Sequence, residues 1–281
     1  MQIPHKPPFN RGYTLLVPRN GVTADILMEF GVLKLLPGET WEHSGGADEQ
    51  CWLLAGGNAR ITWNVNGAGE QSADISRKDL FDHSPWCLSV PKETKVAIIA
   101  DKDGCEFYYV ATDNSKSFAA KLFTPEECKS EFRGKGTMRE TSTRIVRTVF
   151  DDTNRGESNI VIGEVIGVPG KWSSYPPHHH PQPEIYHYRF LPEQGFGLTA
   201  IGDKPYIIKD KDTILIHEGE IHPHVNAPGY AMWYLWVIRH LEGAHYGPAT
   251  STPIFVEEHK WVMGDQNKIW QPGETKSTTP P

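Results

Sequence analysis

Apolar positions in this chain fall into short runs rather than into the three-to-four spacing of amphipathic helices. The first half carries Phe30–Leu36, Gln50–Leu54, Ala59–Trp63, Cys87–Val90, Val96–Ile99 and Phe107–Val110, each rich in β-branched or aromatic residues and bounded by Gly, Pro, Asp or Asn. Runs of this length between turn formers predict strands. Their even spacing, with no long helical pattern between them, predicts a closed barrel or sandwich over residues ~10–115. The segment Phe123–Phe132 is the exception. Thr124 at the N-cap, Pro125 at the first helical position and Glu127 three residues after the cap form a capping-box pattern, which predicts a short helix. Arg133–Gly136 ends it, and Arg144–Phe150 predicts a strand that leads into the second half.

The second half repeats the first in outline. Asn159–Val168 predicts a strand, and Pro169-Gly170 turns it toward a histidine-rich stretch, much as Leu36-Pro37-Gly38 leads to His43 and Glu49 earlier. In Pro228–Ile238 the alternation sends Met232, Tyr234 and Trp236 to one side and Trp233, Leu235 and Val237 to the other. Both faces are apolar, so a central strand covered on each side is expected. The division is therefore an N-terminal barrel over 1–120, a connecting helix and strand over 121–150, and a C-terminal barrel over 151–265. The tail over 266–281 is expected to be disordered, because Gln271–Pro281 has no apolar anchor.

Composition narrows the function classes. Of the 281 residues 38% are hydrophobic and 22% charged, ordinary for a soluble globular protein, and a net charge of −7 argues against a nucleic-acid surface. No apolar run reaches the ~20 residues of a membrane helix. The first residues, Met1-Gln-Ile-Pro-His-Lys-Pro-Pro, lack the apolar core of a signal peptide. Cys51, Cys87, Cys105 and Cys128 show no paired spacing. They read as reduced thiols of a cytoplasmic protein.

The chemistry concentrates in Trp172–Tyr188, where His178, His179, His180 and Glu184 lie within seven positions. On a strand His178 and His180 share a face, and Glu184 shares their parity, with Pro181 and Pro183 interrupting the count. Two imidazoles and a carboxylate on one face form a ligand set for a first-row divalent metal. A further histidine, His222, lies in Gly219-x-x-His222-x-x-x-Asn226.

Together, His178-x-His180-x-x-x-Glu184 and Gly219-x-x-His222-x-x-x-Asn226 resemble the two motifs of the cupin β-barrel. The resemblance implies an all-β chain of two tandem cupin (double-stranded β-helix, or jelly-roll) barrels with a short connecting helix. It also implies one divalent metal per chain, held by His178, His180, Glu184 and His222. Zinc is expected first, with manganese, iron or nickel as the alternatives. Two departures stand out: His217 occupies a position where the second motif usually has Pro, and seven residues separate Gly170 from His178. The first barrel has no His-x-His, so it reads as a degenerate partner.

More specific phrases resemble 5-deoxy-glucuronate isomerase of bacterial myo-inositol catabolism: Trp172-Ser-Ser-Tyr-Pro-Pro-His, Glu184-x-Tyr186, Gly195-Phe196, His222-Pro223, Pro228-Gly229-Tyr230 and Tyr234-Leu-x-Val237. That family interconverts 5-deoxy-glucuronate and 2-deoxy-5-keto-gluconate, an aldose–ketose isomerisation. A related family isomerises 5-keto-4-deoxyuronate. The chain departs from the pattern around the expected pocket, where only Pro181-Gln182-Pro183 fills a normally longer insertion and Gly197–Ala200 follows the Gly-Phe phrase. His224 also stands where a small or apolar residue is commoner.

The resemblance implies an enzyme that moves a hydrogen between adjacent carbons, so a proton-transfer group is required. His224, Tyr186 and Tyr188 are the candidates, with Glu184 itself as a further possibility. A sugar-acid substrate calls for a cation, and Lys171 and Arg239 are the candidates carried forward, with Arg144 also weighed. Tyr230 and Tyr234, from the family phrases, complete the expected substrate pocket. The competing readings are a cupin dioxygenase using the same ligand set and a non-catalytic sugar-binding cupin. No nucleic-acid or membrane partner is expected, and a homodimer is the prior for barrels that pair through edge strands.

Overall fold

The computed structural model describes residues 1–5, 8–247 and 251–273. Its first barrel is built on two long antiparallel strands, Asp48–Val65 and Thr94–Asp113, which pair along their whole length. The register shifts at Leu54/Gly56 and at Gly57/Ala59. These bulges bend both strands, so one pair serves two walls of the barrel. Gly57 has φ +90°, and a Cβ there would lie 2.1 Å from the Gly104 carbonyl oxygen, so this corner requires glycine. Gly12–Val17, Glu29–Leu35, Thr40–His43, Glu70–Arg77 and Cys87–Val90 complete the walls.

The second barrel packs a seven-stranded sheet over a four-stranded one. The larger runs in the order Gln2–Ile3, Thr213–Ile216, Glu184–Leu191, Ala231–Arg239, Ile160–Gly167, Arg144–Phe150, Glu131–Arg133, and the smaller joins Trp172–Ser173, His224–Asn226, Phe196–Ile201 and Lys204–Lys209. Ala231–Arg239 lies between two neighbours, and its alternation is the one the sequence predicts. Met232 and Tyr234 pack inside the barrel with Tyr186, Tyr188 and Ile208, while Trp233, Leu235 and Val237 enter a core shared with Phe30, Leu53 and Tyr108 of the first barrel. The two barrels thus share one hydrophobic seam.

Polar groups cross that seam. Glu164 accepts from Arg77 Nη2 at 2.7 and 2.8 Å and from Arg147 Nη1 at 2.8 Å, and the Arg77 and Glu164 side chains are fully buried. Glu49 accepts from Asn114 Nδ2 at 2.7 Å, from the Asn159 amide at 2.8 Å and from Ser158 Oγ at 3.2 Å. The four cysteines are buried free thiols.

The chain crosses the expected boundaries. Gln2–Ile3 adds to the second barrel's sheet beside Thr213–Ile216, and Lys121–Phe123 pairs with Cys87–Val90 of the first. The predicted connecting helix is a correction. The Thr124 amide donates to Glu127 Oε2 at 3.0 Å, as the capping box requires, but the chain makes one turn and then extends into Glu131–Arg133. Of this segment Cys128 is buried while Glu126, Glu127, Lys129 and Ser130 are exposed or half-buried, so no apolar face repays the propagation of a helix. Residues 266–268, assigned to the tail, form a 3-10 turn in which Gln266 bonds Gly136 and the Arg139 amide; residues 274–281 lie outside the described residues. Among the described residues no helix is long and apolar enough to cross a membrane.

Candidate metal centre

The tight turn after Ile160–Gly167 brings the chain back across the mouth of the second barrel. Asn226 Nδ2 closes that turn, donating to the carbonyls of Val168 at 2.7 Å and Tyr230 at 2.8 Å, so the motif asparagine is a clamp. His178–His179 forms only a two-residue strand, paired with Ile254–Phe255. Pro181 and Pro183 end it before Glu184 opens the next strand opposite Ile216 and Ile238. The convergence therefore comes from a turn rather than from one unbroken strand parity.

His180 Nε2 lies 3.2 Å from Glu184 Oε2, and His222 Nε2 lies 3.5 Å from the same oxygen. The three residues are at most 2% exposed, and their ligand atoms lie within 4.8 Å of one another. His178 stands at the edge of the group, its ring 4.7 Å from that of His222 and nearly perpendicular to it. The tautomers follow from the backbone. Nδ1 donates to a carbonyl in each case: His178 to Pro176 at 3.1 Å, His180 to Gln182 at 2.9 Å and His222 to Glu220 at 2.8 Å. A neutral imidazole that donates through Nδ1 offers its Nε2 lone pair, which is how metal-bound histidines are commonly oriented. His222 Nε2 is buried and makes no hydrogen bond. Burial holds His178 down to about 4, the Pro176 carbonyl opposing it, and holds His222 well below the ordinary imidazole value, aided by His178 and His180. Burial raises Glu184, with His180 pulling the other way. Imidazoles whose Nε2 edges face one carboxylate fit a divalent cation.

A cavity of about 530 Å³ opens from this group. Tyr186 and Tyr234 are on its wall, the Tyr234 hydroxyl 2.6 Å from Ser173 Oγ and the Tyr186 hydroxyl 3.2 Å from Ser174 Oγ. Tyr188 and His224 are buried behind them, 3.4 Å apart through the phenol oxygen and Nδ1, and neither lines the cavity. The two expected cations are corrections. Arg239 shares the odd parity of Trp233 and Val237, so it leaves the cavity and bonds Thr112 Oγ1 at 2.9 Å and Asp113 Oδ2 at 3.1 Å in the first barrel. Lys171 belongs to the turn before Trp172 and does not reach the wall, and Tyr230 packs beside Phe196 outside the cavity. Arg144 does line it.

Three wall residues carry no strong sequence signal. Tyr246 sets its ring 5.1 Å from His180, and Phe255 sets its ring 5.7 Å from His178, in a strap that the Val256 amide ties to Pro177 at 2.9 Å. Asp152 accepts from His245 Nδ1 at 2.8 Å at the other end of the wall.

Two other histidine groups have the wrong geometry for a metal. Asp152, His240 and His245 cluster, but the two rings are stacked at 4.3 Å and 11°, so their in-plane lone pairs do not converge. The Tyr246 amide also donates to His240 Nδ1 at 2.9 Å, which puts the proton of the neutral ring on Nε2. In the first barrel His43 packs against Trp52 and Tyr109, while Glu49 turns to the seam.

Residues 3–262 match the model of the KduI/IolB family. The 5-deoxy-glucuronate isomerase of Geobacillus thermodenitrificans is 27% identical over 83% of this chain and 85% of its own, and that of Geobacillus kaustophilus is 28% identical over the same shares. An IolB-like protein from Salmonella typhimurium superposes with a TM-score of 0.72 at 23% identity, covering 84% of this chain and 89% of its own. Oxalate decarboxylase of Lactobacillus farciminis superposes with a TM-score of 0.63 at 14% identity, covering 83% and 82%. At these identities the structural likeness establishes the fold, two cupin barrels in tandem.

Proposed function

The chain belongs to the KduI/IolB family, and from that membership we propose that it is a metal-dependent aldose–ketose isomerase interconverting 5-deoxy-glucuronate and 2-deoxy-5-keto-gluconate. The observation that carries the reading is the meeting of His180, Glu184 and His222 at the end of a cavity large enough for a sugar acid. We assign the ligands as His178, His180, Glu184 and His222, and zinc as the metal, since a nitrogen-rich set with one carboxylate suits it and isomerisation needs no redox change. Such a cation supplies Lewis acidity to a substrate carbonyl, making the neighbouring C–H acidic.

The remaining work falls to side chains on the wall. Burial pushes the Tyr234 phenol up to about 12, Ser173 and Arg144 pulling it down, and pushes Tyr186 well above its ordinary value, with Glu184 adding to the effect. Both keep their protons near neutrality, so they suit donation to the oxygens of an enediol. Tyr188 and His224 support the tyrosine wall from behind.

The test is elemental analysis of the purified protein, then an anaerobic assay with 5-deoxy-glucuronate. About one zinc or manganese per chain with oxygen-independent turnover supports the reading. Turnover of 5-keto-4-deoxyuronate instead would move the substrate within the family. Oxygen uptake without anaerobic turnover would replace the isomerase with an oxygenase.

A further inference from the structure

Most buried or half-buried arginines in this protein face an acid; Arg155 is buried instead against Ser89 and the Ala119 carbonyl, away from the cavity, and Arg139 bonds the Ile269 carbonyl. Arg77 and Arg147 share Glu164, Arg189 has Glu106 and Asp210, and Arg239 has Asp113. Arg144 lines the cavity and, among the described residues, has no carboxylate within ion-pair distance. Its position follows from strand parity. In Arg144–Phe150, residues 144, 146 and 148 line the cavity, while Arg147 points the other way into the seam. Arg144 Nη1 donates to the Ser142 carbonyl at 2.8 Å and to Ser142 Oγ at 3.1 Å. Ser142 Oγ in turn donates to the Trp172 carbonyl at 3.2 Å. One arm of the guanidinium is thus fixed, while Nε and Nη2 make no hydrogen bond to another described residue. Desolvation lowers its pKa, the neighbouring Tyr234 phenol raising it, so burying this charge costs free energy that an anion would return.

We propose that Arg144 binds the carboxylate of the sugar-acid substrate through the free edge of its guanidinium, and thereby selects a uronate over a neutral sugar. The inference rests on the isomerase reading for the substrate class. The planar fork matches a carboxylate with two parallel N–H donors, a pairing that a lysine cannot reproduce. Arg144 and His178 line the same cavity of about 530 Å³, so one small molecule can face the guanidinium and the ligand group together.

The experiment uses the metal-replete full chain and its Arg144→Gln and Arg144→Lys variants. Binding of D-glucuronate and of D-glucose is measured by competition or calorimetry, with metal content and KM and kcat for 5-deoxy-glucuronate alongside. Wild type should prefer the acid, and Arg144→Gln should abolish that preference while retaining its metal. KM should rise by about 10²-fold with kcat changed far less, the size expected for a charge-assisted pair. Arg144→Lys should recover part of the acid preference. An unchanged acid-to-neutral ratio in Arg144→Gln, or in Arg144→Lys if the first variant does not fold, overturns the assignment. Should wild type turn over no uronate while the ratio still collapses in Arg144→Gln, the anchor stands and the isomerase reading falls.

Discussion

His222 Nε2 lies 3.5 Å from Glu184 Oε2 with no hydrogen bond of its own, a buried lone pair and a buried carboxylate oxygen held face to face by the loop before His224–Asn226 and the start of Glu184–Leu191. Without a cation that arrangement leaves desolvation unpaid on both sides. Glu184→Gln and His222→Ala should therefore each lower zinc affinity by more than about 10²-fold, beyond the roughly 10- to 100-fold typical of losing a supporting hydrogen bond. Metal titration of each variant checks this, and full occupancy at wild-type affinity would reject the ligand set. Stripping the metal from wild type should lower Tm, because a cation bound only by the folded state stabilises it by mass action.

The strap over the metal end gives a kinetic expectation. Phe255 and Tyr246 pack steeply inclined against the rings of His178 and His180, and the Val256 amide donates to the Pro177 carbonyl. Phe255→Ala should speed metal release to a chromophoric chelator by roughly 10-fold while changing equilibrium affinity less, since the ring covers the ligands and does not bind the ion. Equal release rates would show that the strap is not the exit barrier.

Much of this was legible from residue types and spacing. The alternation in Ala231–Arg239 sorted Tyr234 from Trp233 correctly, because a central strand with two apolar faces leaves parity little freedom. The same rule, applied one step further, would have removed Arg239 from the cavity: it shares the face of Trp233. Motif spacing picked out His180, Glu184 and His222, which do cluster, and His178 at their edge, although the turn at Pro181–Pro183 rather than a regular strand brings His180 and Glu184 together. The capping box was real but closed only one turn, because capping satisfies local donors and cannot supply an apolar face. Tyr246, Asp152 and the strap escaped notice because they reach the site through long-range packing that no local pattern encodes.

His224 and the wall tyrosines should separate kinetically. His224 packs 4.5 Å from Tyr234 and 5.2 Å from Tyr186, ring to ring, on the far side from the cavity. His224→Gln should keep kcat within about 10-fold of wild type, whereas Tyr186→Phe should lose about 10²-fold or more, the usual span of a proton-transfer group. Steady-state kinetics at matched metal content decides it. The reverse order would return the catalytic role to the histidine.

Glu164 is the polar link most exposed to failure. Its side chain is wholly buried between Arg77 and Arg147, which also donate to carbonyls of the 80–83 loop. Glu164→Gln leaves two buried guanidiniums without a counter-charge and should cost about 3–5 kcal/mol in denaturant unfolding. A loss below about 1 kcal/mol would mean that water replaces the carboxylate.

The last expectation concerns pH and the first barrel's Glu49. Burial pushes its carboxyl from 4.5 up to about 7, even though Asn114, the Asn159 amide, Ser158 and the charge of Arg239 all pull it down. A carboxyl that is raised on folding binds more protons in the native than in the unfolded chain, so its contribution is complete below about pH 4.5 and is lost as pH rises through about 7. The full swing is on the order of 3 kcal/mol, the span from 4.5 to about 7 at 1.36 kcal/mol per pH unit. Glu49→Gln cannot titrate, so the difference in stability between wild type and this variant should move against wild type between about pH 5 and pH 8. Unfolding curves at both pH values measure that difference directly. If wild type instead gains on the variant as pH rises, the three donors and Arg239 outweigh burial, and Glu49 is an ionised clamp between the barrels rather than a protonated one.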